Sequence, residues 1–374
     1  MHMYKSSIIS VTYKHLVKPI LFRFDPETVH DLFLQVGKIL GRFSITKSLT
    51  RLLFSYQHPS LEQTIHGIPF KNPVGLAAGF DKDAQLINIL PHIGFGFAEI
   101  GTVTYKPYEG NPKPRLYRLI QTKGIIVNYG LKNLGVKKII QRIQKQKDPE
   151  FPLSVSVGKT NSSATSSTRN GINDYYNCLK ELVKSNTGNF YTINISCPNT
   201  FGGEPFTTEE RLKKLLFKLN SLKISMPIFL KMPINLPWKE FKKLLDIAMQ
   251  FKISGVIIGN LNKDHHSKAI KDLIPLDIKG GISGKPTWEL SNNLISKTFQ
   301  TYGNRFIIIG VGGIFSAEDA YEKIKRGASL LQLITGMIFE GPQLIGDINK
   351  GLVELLNKDG YTNISQAVGT YNIK

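Results

Sequence analysis

Eight short apolar runs constrain this chain more than any other feature. They cover residues 74–78, 97–103, 153–157, 190–195, 228–232, 255–259, 306–310 and 330–334. Each is shorter than an ordinary helix and almost continuously apolar, as strands covered on both faces are. Patterns of period 3.6 lie between them, at residues 86–90, 136–143, 212–222 and 241–249. Eight strand–loop–helix units predict an α/β fold, a (β/α)8 TIM barrel over residues 46–374. Two connections, residues 105–119 and 260–287, exceed normal loop length. Such barrels keep function in the loops at the strand C-termini.

Residues 1–45 read as a separate extension of two amphipathic helices. Ile8, Ile9, Val11, Leu16, Val17, Ile20, Leu21 and Phe22 are surrounded by Lys5, Lys14, Lys18 and Arg23. Asp25-Pro26-Glu27 then supplies an N-cap, a proline at the first helical position and an acid in the first turn. Val29, Leu32, Phe33, Val36, Ile39 and Leu40 follow at helical spacing, and Gly41 ends the pattern. Two such helices in a basic setting suit a peripheral membrane contact; a hairpin that merely caps the barrel is the alternative. No run of 18 apolar residues occurs, so no spanning helix is expected. No small-residue cleavage site follows an apolar core at the N-terminus, which argues against a secretory signal.

The net charge is +20, which suits nucleic acid, an anionic membrane or anionic small molecules. The lysines are dispersed, as in Lys132, Lys137, Lys138, Lys145 and Lys147, so a solvated surface is expected and no nucleic acid. Two cysteines, Cys178 and Cys197, give neither a disulfide framework nor metal-ligand spacing. His265-His266 reads as a solvated loop pair, and no metal is expected.

The fourth run ends in Asn194-Ile195-Ser196-Cys197-Pro198-Asn199-Thr200. Asn194 and Asn199 each donate and accept, which suits a flat ligand with alternating N–H and C=O groups. Cys197 between them is a candidate acid or base; a buried structural thiol is the alternative. Three glycine-rich segments close the last three units: Gly280-Gly281-Ile282-Ser283-Gly284, Gly310-Val311-Gly312-Gly313 and Thr335-Gly336. Together they suggest a phosphate-bearing ligand, because glycine lets backbone N–H groups approach an anion. Lys231 projects from an apolar run, which is costly unless it meets an anion or a polar ligand. Lys82 follows the first run in Ala77-Ala78-Gly79-Phe80-Asp81-Lys82. A barrel-end salt bridge for Lys231 and a solvated helix start for Lys82 are the simpler readings.

Taken as a unit, Asn194 to Thr200 resembles the catalytic loop of dihydroorotate dehydrogenases, flavin enzymes of pyrimidine synthesis. The likeness spans roughly residues 15–345 through Ala77–Lys82, Glu99-Ile100-Gly101-Thr102-Val103-Thr104, Gly110-Asn111-Pro112-Lys113-Pro114-Arg115-Leu116 and the glycine segments. Phe24-Asp25-Pro26-Glu27 with its helices is similar to the membrane-associated, quinone-linked class. The resemblance implies oxidation of dihydroorotate to orotate with FMN as cofactor. It assigns FMN contacts to Ala78, Gly79, Thr102, Ser156, Lys231, Gly259, Gly284, Gly312, Gly313, Thr335 and Gly336. It assigns substrate contacts to Lys82, Asn128, Asn194, Asn199 and Asn260, and the base to Cys197. A quinone partner at the cytoplasmic face of a membrane follows, with no obligate protein partner evident.

This chain departs from the quinone-linked pattern at several positions. Cys197 is the base of the soluble classes, where quinone-linked members carry serine. Val127 stands where the family has a substrate-binding asparagine, with Asn128 adjacent. Ser156 replaces a flavin-contacting asparagine, Gly259 a threonine and Ile334 a tyrosine; Phe201-Gly202-Gly203-Glu204-Pro205 is closer to the soluble classes. A soluble acceptor such as fumarate is therefore the alternative, and a cytoplasmic location goes with it. An RNA-modifying enzyme of the dihydrouridine synthase type, or a flavin protein without catalysis, are rivals of other classes. A free thiol titrates near about 8.5, so some thiolate is expected near neutrality.

Overall fold

The computed structural model describes residues 8–146 and 151–372. Lys5 and Lys147 of the sequence reading lie outside the described residues. Eight parallel strands close into a barrel: β1 Val74–Leu76, β2 Phe97–Val103, β3 Leu153–Val157, β4 Phe190–Asn194, β5 Ile228–Met232, β6 Gly255–Ile258, β7 Ile307–Val311 and β8 Leu330–Leu333. Successive strands pair in order, and β8 returns to β1 through Leu331 opposite Val74. Strand ends differ from the hydropathy reading by one or two residues. Apolar character runs on into the loops that line the cleft, so hydropathy does not mark the last ladder hydrogen bond.

Period two sorts the inward side chains into layers. Phe97, Phe190 and Phe229 meet Ile257, Ile309 and Leu330 in an apolar plug. Phe70 joins them from the hairpin Gln63–Ile65/Ile68–Phe70, its ring 5.5 Å edge-on to Phe97. Each buried phenylalanine contributes about 1.5–3 kcal/mol, and together they seal one mouth of the barrel. Two residues further along the same strands stand Glu99, Thr192 and Lys231, all buried. The interior therefore changes from apolar to polar toward the strand C-termini. The alternate residues Ile100, Tyr191 and Leu230 belong to the main core.

The two long connections contain a second sheet. Leu116–Leu119 and Gly124–Val127 pair antiparallel, and Gly281–Gly284 adds to Gly124–Val127. The glycine segment Gly280–Gly284 is thus mostly strand rather than a phosphate loop, and only Ser283 and Gly284 of it reach the glycine-lined cleft. Its partner lies far away in sequence, so local pattern did not reveal the pairing.

Three helices form the N-terminal region rather than two. Residues 8–21 are helical (α1), with a π-helical stretch at Tyr13–Val17. α2 is Pro26–Leu40, and Asp25 Oδ1 accepts from the Thr28 N–H at 2.8 Å, the expected cap. α3, Ser44–Phe54, runs across position 45/46, where the extension was expected to end. It starts without a side-chain cap, so the sequence carries no start signal for it. The Tyr13 hydroxyl donates to the Ile338 carbonyl at 2.7 Å, and Lys14 pairs with Glu340 at 2.6 Å. α2 approaches so closely that a Cβ at Gly37 would meet Leu86 Cδ2 at 2.6 Å. Among the described residues no helix is long and apolar enough to cross a membrane.

Candidate active site

The C-terminal ends of the strands open into a cavity of about 440 Å³. Its polar end carries Lys82, Asn194, Cys197, Asn199, Lys231 and Asn260. Its other end runs under the N-terminal helices, between Phe33, Val36 and Leu40 on one side and Leu86, Ile89 and Ile338 on the other. A smaller cleft of about 90 Å³ adjoins it. Gly259, Gly284, Gly312, Gly313, Thr335 and Gly336 line the cleft, and Ala78, Lys231 and Asn260 line both spaces.

Asn194 ends β4 and points inward, four residues beyond Phe190. Its amide donates to Thr102 Oγ1 at 2.8 Å, and Thr102 Oγ1 lies 2.9 Å from Ser156 Oγ. Asn194 Oδ1 accepts from the Ser196 N–H and hydroxyl, each at 3.2 Å. The Asn260 amide donates to the Ser196 carbonyl and hydroxyl oxygens, each at 2.9 Å. Ser196 thus joins the two asparagines. Asn199 donates to the Val127 carbonyl at 2.7 Å.

Cys197 sits on the cavity wall, partly exposed. Burial among protein atoms pushes its thiol up to about 11, although the Asn199 N–H and the Lys159 and Lys231 charges pull it down. The thiol is therefore almost wholly protonated at neutral pH, contrary to the expectation from an unperturbed cysteine. Lys82 is lowered to about 8, first by burial and then by repulsion from Lys132. Its Nζ lies 3.8 Å from the centre of the Tyr129 ring. Cys178, by contrast, is fully buried on the helix Thr168–Lys184, its thiol raised well above the usual range.

Two expected contacts are set back from the cavity walls. Ser156 lies behind Thr102. Asn128 Oδ1 accepts from Asn111 Nδ2 at 3.0 Å, and Val127 takes the place on the wall. Adjacent strand residues face opposite ways, so a one-residue offset turns the carboxamide away. His266 is exposed as expected, whereas His265 Nε2 lies 2.7 Å from the Gly280 carbonyl.

The residues present suit a flavin. Lys231 Nζ reaches Glu99 Oε2 only at 3.5 Å, and Glu99 Oε1 is buried without a partner among the described residues. The pair is thus loosely satisfied and leaves Lys231 with donors for a ligand. Gly79, at φ +113°, faces open space in which the nearest atom to an added Cβ is Ile334 Cδ1 at 3.9 Å. In the cleft, a Cβ at Gly336 would meet the Ile314 carbonyl oxygen at 2.0 Å. The walls there are backbone because no side chain fits.

Sequence reasoning passed over three residues that build this site. Glu99 is the buried partner of Lys231, and the alternation Phe97-x-Glu99 beside Phe229-x-Lys231 is the signal that exposes it. Asn111 and Asn161 share a hydrogen bond of 3.1 Å and hold the loop after Cys197. Asn111 Nδ2 donates to the Asn199 carbonyl at 3.0 Å, and Asn161 Oδ1 accepts from the Phe201 N–H at 2.6 Å.

Known proteins are similar to this chain in sequence and in fold. The family description "Dihydroorotate dehydrogenase" matches residues 60–356. A dihydroorotate dehydrogenase (quinone) of Sulfurovum sp. is 38% identical, over 94% of this chain and 97% of its own. One from Christiangramia forsetii is 39% identical, over 91% and 99%. The crystal structure of the Eimeria tenella enzyme with ferulenol superposes with a TM-score of 0.83 at 27% identity, covering 94% of this chain and 96% of that one. By family match, by full-length identity and by fold, this chain belongs to the dihydroorotate dehydrogenase family.

Proposed function

We propose that this protein oxidises dihydroorotate to orotate in pyrimidine synthesis, with FMN as its flavin and a membrane quinone as acceptor. One observation carries the reading. A single cavity has Cys197, Asn194, Asn199, Asn260 and Lys82 at one end, Lys231 between, and an apolar chamber under the N-terminal helices at the other. The curated relatives named above are quinone-linked enzymes over nearly their full length.

When bound, FMN supplies two-electron redox chemistry that no side chain here supplies. Ala78, Gly79 and Thr102 would hold its ring system, and Lys231 would supply a positive charge to the reduced, anionic flavin. Gly259, Gly284, Gly312, Gly313, Thr335 and Gly336, which line the smaller cleft, would hold its phosphate-bearing tail. Asn194, Asn199 and Asn260 orient the substrate ring through its amide groups, and Lys82 meets its carboxylate. Cys197 Sγ takes the proton from C5 of dihydroorotate, so its thiol must ionise within the complex.

The test uses the full-length protein. It should be yellow, release FMN on denaturation, and be bleached by dihydroorotate without air. Quinone should restore the colour faster than fumarate or NAD. A colourless preparation that takes up no FMN, or a flavin that dihydroorotate does not bleach, sinks the reading; faster reoxidation by fumarate overturns the acceptor.

The N-terminal helices serve as the peripheral membrane contact, at the cytoplasmic face. They expose Leu16, Ile20, Leu32, Ile39, Ile45 and Leu52, with Arg23, Lys38, Arg42 and Arg51 also exposed. Ile45 is 82% exposed, so Ile45→Glu should weaken sedimentation with anionic vesicles and leave FMN content unchanged. Unaltered sedimentation would remove α3 from the contact.

A further inference from the structure

A continuous run of contacts joins α2 to the loop that carries Cys197 and Asn199. Glu27, in the first turn of α2, is buried, and its Oε1 meets Arg115 Nη1 at 3.1 Å and Lys132 Nζ at 3.4 Å. The Arg115 side chain is itself only 13% exposed. Its Nε donates to the Asn111 carbonyl oxygen. Gly110, at φ +101°, makes room for this, since a Cβ there would meet Arg115 Cζ at 2.9 Å. The Asn111 carboxamide then reaches both sides of the substrate end. Its Nδ2 donates to the Asn199 carbonyl and to Asn128 Oδ1, each at 3.0 Å, while Tyr108 and Asn161 donate to its Oδ1. Glu27, Arg115 and Asn111 do not line the cavity, so they act on a ligand only through the loop they hold.

We propose that Glu27 and Arg115 are positioning residues for the substrate half of the reaction. The seating of α2 on the barrel sets where Asn199 and Cys197 stand. The N-terminal helices then serve dihydroorotate as well as the acceptor. This rests on the dihydroorotate reading above. The physical reason is that a buried ion pair is held in one geometry by its hydrogen bonds, and removal of one partner leaves the other charge uncompensated. Arg115 must then turn toward water, and its hold on Asn111 goes with it.

The test is Glu27→Gln in the full-length, FMN-loaded enzyme. Orotate affinity is measured by calorimetry, flavin reduction by dihydroorotate without air, and reoxidation by quinone separately. Orotate binding and the KM for dihydroorotate should weaken about tenfold, with FMN content and the quinone reoxidation rate within twofold of wild type. The double variant Glu27→Gln/Arg115→Met should be no worse than the poorer single one, because coupled residues do not add. Glu27→Asp keeps the charge with a shorter reach and should fall between; it carries the same readouts if Glu27→Gln does not fold. A lowered Tm with unchanged orotate affinity and KM overturns the proposal and leaves Glu27 a merely structural residue, as does an equal loss in both half-reactions. A wild-type flavin that dihydroorotate does not reduce refutes the functional reading instead, and the two failures are distinct.

Discussion

Ionisation of Cys197, the base in the proposed reaction, sets how that reaction should answer to pH. An unperturbed thiol titrates near about 8.5, so about 3% is thiolate at pH 7. With the thiol pushed up to about 11, the fraction falls to about 0.01%, roughly 300-fold less. The more basic thiolate is intrinsically the better nucleophile and regains about tenfold. A small disulfide reagent should therefore label Cys197 at pH 7 roughly thirtyfold more slowly than a free thiol. The rate should climb about tenfold per pH unit with no plateau below pH 10. Cys178→Ala removes the second thiol from the readout. Flavin reduction by dihydroorotate should rise over the same range. Lys82 acts in the opposite sense: lowered to about 8, it is charged below that pH and neutral above it. The KM for dihydroorotate should accordingly rise above pH 8 while the maximal rate still increases. Labelling that levels off near pH 8.5 would refute the claim that burial governs this thiol.

Three further outcomes follow from the same geometry. Cys197→Ala should bind orotate yet reduce flavin at least about a hundredfold more slowly, the usual scale for a lost general base, and Cys197→Ser should keep part of the activity with its optimum at higher pH; normal turnover of Cys197→Ala would remove it as the base. Lys231→Ala leaves Glu99 buried and unpaired, so both FMN retention and Tm should fall, by about 3–5 kcal/mol of stability, and wild-type retention would place Lys231 outside the flavin site. Lys323 is fully buried on Ser291 Oγ and Asn292 Oδ1, and burial lowers it to about 7. The unfolded lysine titrates near about 10.4, so the cost of burying the charge is full below pH 7 and fades as pH rises; Lys323→Met should raise Tm at pH 6 more than at pH 9, and an equal gain at both would contradict this.

Much of the barrel was legible because its determinants are local. Each strand had to be a short apolar run, and Asp25-Pro26 had to start a helix, since capping and proline geometry act within one turn. The grouping of Asn194, Cys197 and Asn199 was legible for the same reason, as all three stand within six residues of one strand end. The glycines at 312, 313 and 336 are legible as a local cluster, and the structure places them on the cleft wall. α3 is not legible locally because it carries no side-chain cap, nor is the strand Gly281–Gly284, whose partner is remote in sequence.

The sequence by itself determined the barrel, the inventory of carboxamides, lysines and thiol, and the order in which the strands deliver them. Only the tertiary structure decided what those groups became. The burial of Cys197 raised its thiol, because the cost of charge depends on every atom around it and not on its neighbours in the chain. Register turned Val127 toward the cavity and Asn128 toward Asn111. Closure of the barrel brought Glu99 from β2 against Lys231 from β5. The seating of α2 carried Glu27 to Arg115 and, through Asn111, to the loop after Cys197. These are long-range contacts, formed only once distant segments share a surface.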